Sequence, residues 1–272
     1  MLEESFTRLT LFVSLALFFA SLEVIKPKRQ RVLTRLSRWL GNIGVLFVGT
    51  IFTRAFIPIL PISAAYWANE NDFGLFSKLN GPVLVEGIVT FLLLDLLIYF
   101  QHRVFHHVPI LWRIHRMHHT DLDFDVTTGI RFHPIEIFLS LLIKILAVLV
   151  LGASPIVVFV FEIVLNGTSL FIHANIGLPK GMDHFLRLVL VTPDMHRVHH
   201  SIIDEETNSN FGFSLPWWDY LFRTYLAHPK KSHKNMTIGL AIFRDERSIK
   251  LGHLLIQPFV RAQSKPGEDG GQ

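Results

Sequence analysis

Crossing the hydrocarbon core of a bilayer takes about 20 apolar residues in a helix. Five stretches of this sequence approach that length: residues 9–25, 40–62, 83–101, 134–151 and 155–172. No other feature constrains the fold as strongly, because a backbone in lipid must satisfy its own polar groups, as helices or as a closed barrel. These stretches have the length of helices, whereas barrel strands run to about 9–11 residues. Few charges interrupt them: Glu23, Arg54, Glu86, Asp95, Glu136, Lys144 and Glu162. Pro58 and Pro61 stand near the exit of the second, and only residues 152–154 separate the last two, which read as a tight hairpin. Charged residues make up 18% of the chain, against about 25% in soluble domains. The expected fold is therefore all-α, a polytopic membrane protein of about five spans. The opening MLEESF is acidic where a signal peptide is positive, so the first stretch is expected to stay as a span.

Lysine and arginine set the orientation. Residues 26–38 hold Lys26, Lys28, Arg29, Arg31, Arg35 and Arg38, whereas the connection at 63–82, read as a loop, holds only Lys78 beside Glu70 and Asp72. The positive-inside rule puts 26–38 in the cytoplasm. Residues 102–133 and everything after residue 172 then lie on the same side, as a cytoplasmic helical cap. The net charge of +4 is spread along the chain, so a nucleic-acid partner is not expected. There is no cysteine, which excludes disulfides, thiolate zinc sites, iron–sulfur clusters and cysteine nucleophiles.

Fifteen histidines are present. Eight fall into three clusters: His102 and His106 in HRVFH, His115, His118 and His119 in HRMHH, and His196, His199 and His200 in HRVHH. Residues three or four apart share a helix face, so each cluster can aim two or three imidazoles at one point. Neutral imidazole suits iron, zinc and copper. Eight nitrogens exceed the needs of one ion and suit two, each with a position left open. Asp95, Tyr99, His102 and His106 also fall in one narrow sector of a helix. Asp95 and Tyr99 are expected to orient a ligand imidazole. The alternative is that Asp95 pairs with Arg54. His107 lacks the spacing and reads as flanking; His184, His228, His233 and His253 read as solvent-facing.

The order HxxxH, HxxHH, HxxHH resembles the fatty acid hydroxylase or sterol desaturase superfamily of membrane di-iron enzymes. The resemblance extends to DLLIYFQHRVFHHVPILWRIHRMHHT at 95–120, RFHPIE at 131–136, LFIHANIGLP at 170–179, TPDMHRVHHS at 192–201 and WDYLFRTY at 218–225. It covers residues 84–225. The family often has glycine in the closing WDxxFGTY-like string, where this chain has Arg223. The resemblance implies that the eight clustered histidines are iron ligands and that His173 is a ninth. His133 is a further ligand or a residue that orients one, and Asn166 faces the site. It implies two iron ions, with zinc able to replace them in isolated protein.

The implied activity is O2-dependent hydroxylation of a C–H bond in a membrane lipid, a fatty acyl, sterol or related chain. Desaturation or ether-lipid oxygenation would use the same site. No GxGxxG or CxxCH string is present, so electrons are expected from a separate reductase. A divalent-metal transporter would favour ligands in mid-membrane, and a haem electron carrier would leave most of the histidines unused. Three regions are expected: an N-terminal membrane region at 1–82, the catalytic domain at 83–226 and a polar, partly disordered extension at 227–272, with a free tail from about Arg244.

Overall fold

The computed structural model describes residues 2–79 and 81–261. The described residues contain helices and no β-strand; strand-like pairing is limited to two isolated bridges, Pro27 with Ile176 and Ser201 with Ile238. The long helices are α1 (Leu2–Ile25), α2 (Arg35–Phe56), α4 (Val83–His107), α6 (Pro134–Leu151) and α7 (Pro155–His173). A shorter α3 (Pro61–Glu70) follows α2 after a break at residues 57–60, and α5 (Pro109–His119) follows α4 directly. The remaining helices are short: α8 (Lys180–Leu186), α9 (Pro193–His199), α10 (Asp204–Thr207), α11 (Trp217–Leu221) and α12 (Leu251–Ile256). Five segments are long and apolar enough to cross a membrane, one of them being α2 and α3 taken together.

Proline places the helix starts. It stands in the first turn of α3, α5, α6, α7 and α9, where its missing N–H has no helical partner to lose. The consequence matters most at Pro109. Val108 before it is forced extended, with φ −90° and ψ 115°, so α4 stops and α5 folds back against it. The first two histidine clusters thereby face each other across a bend.

The connection at 63–82 is not a simple loop, as its polar ends suggested. Its start is α3, with Ala64, Ala65 and Ala68 buried against the bundle. Alanine has the highest helix propensity and fits close packing. Gly74 and Gly152 then touch, both at positive φ (105° and 63°). A Cβ on Gly74 would lie 2.3 Å from the Gly152 nitrogen, so the α6–α7 hairpin tip and this connection can meet only through glycine.

On the opposite side, α2 is tied to the segment after α5 by buried charge. Arg38 donates to Asp121 at 2.8 and 2.7 Å and to Asp125 at 2.5 Å. Burial pushes the Asp121 carboxyl up, but Arg38 and Arg131 outweigh it and hold it well below the ordinary carboxylate range. Arg131 continues the network to Asn42, Thr120 and the Met117 carbonyl. Asp125 also caps the 3-10 turn Val126–Ile130, which packs against α7.

Residues from Arg244 to Arg261 are not a free tail. A 3-10 turn (Glu246–Ile249) and α12 lie on α2. Arg116 donates to the carbonyls of Gln257 and Val260 at 2.6 and 2.7 Å, and Thr120 donates to Gln257 Oε1 at 2.8 Å. The apolar side chains Leu251 and Leu254 anchor the segment. The expected disorder of the final residues falls outside the described ones.

Arg38→Met leaves the Asp121 and Asp125 carboxylates buried without the guanidinium they bond, with Arg131 still near Asp121. The expected cost is about 3–5 kcal/mol, read as a lower thermal unfolding midpoint of the detergent-solubilised protein. An unchanged midpoint would show that the pair contributes nothing to stability.

Candidate metal centre

Nine buried histidines converge in two groups. His102, His106, His115, His119 and His199 form one; His118, His173, His196 and His200 form the other, with the candidate ligand atoms of each group all within 4.8 Å of one another. The groups adjoin: His119 stacks on His200 with ring centroids 4.6 Å apart. The two HxxHH strings are shared between them in a crossed fashion. In the second cluster the i, i+4 pair, His115 and His119, enters the first group while His118 enters the other. In the third cluster the i, i+4 pair, His196 and His200, enters the second group while His199 crosses back. A helix turns about 100° per residue, so adjacent histidines diverge and one short helix can serve two centres.

The inward-facing atoms are Nε2. They approach in pairs: His102 to His199 at 3.0 Å, His106 to His119 at 3.1 Å, His173 to His196 at 3.0 Å, and His173 to His118 and His200 at 3.2 Å. Five rings are held from behind at Nδ1. His102 donates to the Phe211 carbonyl at 2.8 Å, His118 to Arg131 at 3.2 Å, His173 to Ser169 at 2.7 Å and His199 to Ser209 at 2.7 Å. His115 donates to Glu136 Oε1 at 2.6 Å. An imidazole that gives its Nδ1 proton outward presents an Nε2 lone pair inward. His115 Nε2 is buried and has no hydrogen-bond partner.

Burial favours the neutral form of five of the rings. It holds His199 down to about 3 and lowers His118, His119, His196 and His200 well below the usual imidazole range, with neighbouring imidazoles adding to the effect in each. Converging neutral lone pairs repel one another without a cation between them. The donor set therefore fits two metal ions bound by nitrogen alone. Aromatic rings enclose it: Phe132 stacks on His118 at 4.5 Å, Trp112 lies 4.8 Å from His106 and Phe211 5.1 Å from His106.

Three expectations change. His133 joins neither group. Its Nδ1 accepts from the Ile135 N–H as the cap of α6, and its Nε2 meets the Leu255 carbonyl at 3.1 Å. The residue of RFHPIE that reaches the site is Glu136, one turn on. Asp95 and Tyr99 do not bond an imidazole. Asp95 Oδ2 accepts from Trp218 Nε1 at 2.8 Å and from the Leu215 N–H at 3.2 Å, rather than from Arg54. Tyr99 bonds the Thr224 hydroxyl at 2.8 Å. Both instead bond residues 215–224, the segment that follows the Phe211 carbonyl. His233 is not solvent-facing: it lies 3.8 Å from Asp194, and burial lowers it to about 4.

The turn itself is organised by Asp219, which sequence reasoning passed over. Its carboxylate accepts from the Phe211 and Gly212 N–H groups at 2.8 Å each and from the Thr224 hydroxyl at 2.6 Å. Burial raises it to about 6 against these hydrogen bonds. Its signal was an acid in an aromatic string, WWDY, with no charged neighbour. Arg223 takes the left-handed conformation with φ 58°, the one that glycine would adopt freely, so the turn keeps its shape at a cost of roughly 1–2 kcal/mol. His107 bonds back to its own helix at the Arg103 carbonyl.

The fold and the site define an integral-membrane protein with two adjoining all-histidine groups, each able to hold a metal ion. The chain belongs to the fatty acid hydroxylase family, whose model matches residues 87–224. It is 28% identical over 225 residues to an ornithine lipid hydroxylase of Rhizobium tropici, covering 80% of this chain and 62% of that protein. It is 31% identical over 160 residues to the human alkylglycerol monooxygenase, covering 56% of this chain and 33% of the other. It is 26% identical over 191 residues to a very-long-chain aldehyde decarbonylase of Arabidopsis thaliana, covering 66% and 28%. The chain thus spans less than two thirds of each of these relatives. No solved structure matches it.

His118→Ala and His199→Ala remove one ligand from each group. Each variant is expected to insert in the membrane and to lose at least one of two bound metals, counted by elemental analysis of purified protein. Two full-occupancy metals in both variants would refute the ligand assignment. Glu136→Leu and Asp219→Leu leave the histidines in place but release the His115 ring and the turn that Asp219 holds through the Phe211 and Gly212 N–H groups. Each is expected to weaken metal retention about 10–100-fold, measured by chelator competition.

Proposed function

We propose that this chain is a membrane-bound di-iron oxygenase that hydroxylates a C–H bond of a lipid. The observation that carries the reading is a cavity of about 290 Å³ among α1, α2, α4, α6 and α7, with His102 and His115 among its lining residues. Its walls are mostly apolar, with Ile98, Leu141, Leu165 and Phe213 among them. Lys144 also borders it, about 12 Å along α6 from Glu136 at the helical rise. Asn166 lines it as well, consistent with its expected place near the site. The volume lies near the lower end of the roughly 300–1,000 Å³ common for small-ligand sites. It suits a segment of an acyl chain, with the rest of the lipid in the bilayer.

When bound, two iron ions supply the reductive activation of O2 that converts a C–H bond to C–OH, with two electrons and two protons forming water from the second oxygen atom. The protein's share is position and dryness. Phe213, Ile98 and Leu165 hold the chain against the His102 and His115 side of the site. Glu136 keeps the His115 ring fixed through its Nδ1 proton. The aromatic enclosure excludes bulk water, which strengthens each electrostatic interaction inside. The positive charge at 26–38 supports a cytoplasmic site, and electrons then come from a separate soluble-side reductase. The relatives' names support hydroxylation first, with ether-lipid oxygenation on the same site as the second reading. A transporter or haem carrier gains no support from nine imidazoles closed into two groups.

The test is lipid mass spectrometry of cells with and without the chain. The expected result is a lipid heavier by one oxygen. A loss of two hydrogens would move the reading to desaturation, and no change with metal-replete protein and a working donor would overturn it. Leu141→Trp fills the cavity and is expected to lower turnover at least tenfold while both metals stay bound. Full turnover would place the substrate elsewhere.

A further inference from the structure

Outside the five candidate spans, one surface has its polarity reversed. In α8 and the residues after it, the apolar side chains point outward: Phe185 is 66% and Leu188 56% exposed, and Met182 and Val189 are exposed too. Lys180 and His184 of α8 are exposed as well, but the arginine that follows the helix points inward. Arg187 is 7% exposed, paired with Asp183 at 2.7 Å and donating to the Ala227 carbonyl at 2.9 Å. A helix on an aqueous surface shows the opposite arrangement.

This face continues into α11. Trp217 donates to the Leu188 carbonyl at 2.7 Å and Tyr220 to the Arg187 carbonyl at 2.9 Å, so the two segments form one sheet of side chains. Trp217, Tyr220 and Leu221 are exposed on it, Leu221 by 66%. Phe222 then packs on Phe100 of α4, with ring centroids 5.0 Å apart, beside the exposed Val104. The patch is continuous with the outer face of a candidate membrane span.

Depth follows from Asp95. It lies seven residues before His102 on α4, about 10 Å further toward the middle of the span at the helical rise. Leu215 and Trp218 are hydrogen-bonded to it. The chain entering α11 therefore reaches below the level of the histidines.

We propose that α8 and α11 form an in-plane membrane-embedded surface, with Phe185, Leu188, Trp217 and Leu221 in the acyl-chain boundary of the bilayer. The region after α7 is then not wholly an aqueous cap. Trp217 and Tyr220 sit where interfacial aromatics concentrate, and the outward apolar face matches that of a monotopic helix.

The chain has no cysteine, so Leu188→Cys and Leu221→Cys can each carry a single environment-sensitive fluorophore in the full chain reconstituted in phosphatidylcholine vesicles. Ile88→Cys on α4 serves as the lipid reference and Lys231→Cys as the aqueous one. Nitroxide-bearing acyl chains are expected to quench positions 188 and 221 to within about twofold of position 88, with iodide quenching at least fivefold below position 231. Water-like emission with iodide quenching equal to position 231 would overturn the proposal. So would protection from both quenchers, which would mean that protein, a second copy included, covers the face. Two independent positions guard against one variant failing to fold.

Discussion

The structure depends on keeping nine imidazoles together in a buried interior. The Nδ1 atoms of His106, His119, His196 and His200 are buried with no hydrogen-bond partner, while five of the inward-facing lone pairs are fixed from behind. The Nδ1 contacts to Glu136 and to the carbonyls of Arg131, Ser169, Ser209 and Phe211 do this. Those acceptors lie on α6, α7 and two connecting segments, so ring orientation is a property of the whole bundle. The buried Arg38–Asp121–Arg131 network serves the same end, because it holds the segment whose Arg131 carbonyl receives His118.

The crossed use of the HxxHH strings follows from helical geometry. A pair at i, i+4 shares a face, while the residue between them in register lies to one side. Two short helices, α5 and α9, can each give two rings to one centre and one ring to the other. The centres are therefore coupled mechanically: shifting either helix moves ligands in both groups.

Much of this was legible in the sequence, and the failures have physical causes. Hydropathy located the spans, and histidine spacing found all nine converging residues once His173 was added by resemblance. Hydropathy missed α3, since a ten-residue helix rich in alanine has no span-like signature. The helical stripe through Asp95 and Tyr99 was real, but a shared face does not say what lies opposite it. The partners there come from residues 215–224, more than a hundred positions away. Glu136 had the same signal as Asp95, an acid within an apolar stretch, and was passed over in favour of His133 in the same string. The basic run 26–38 has a second use that charge counting cannot show. Lys28 pairs with Asp194, Arg35 with Glu23 and Arg38 with Asp121.

The clasp formed by α12 bears on the order of events during synthesis. Thr120 at the end of α5 bonds Gln257, 137 residues further along the chain, and Arg116 bonds the Gln257 carbonyl. A ribosome has finished α9 and its three ligands well before these partners emerge. Until the segment around Gln257 has been made, α5 lacks the hydrogen bonds that Thr120 and Arg116 form with it.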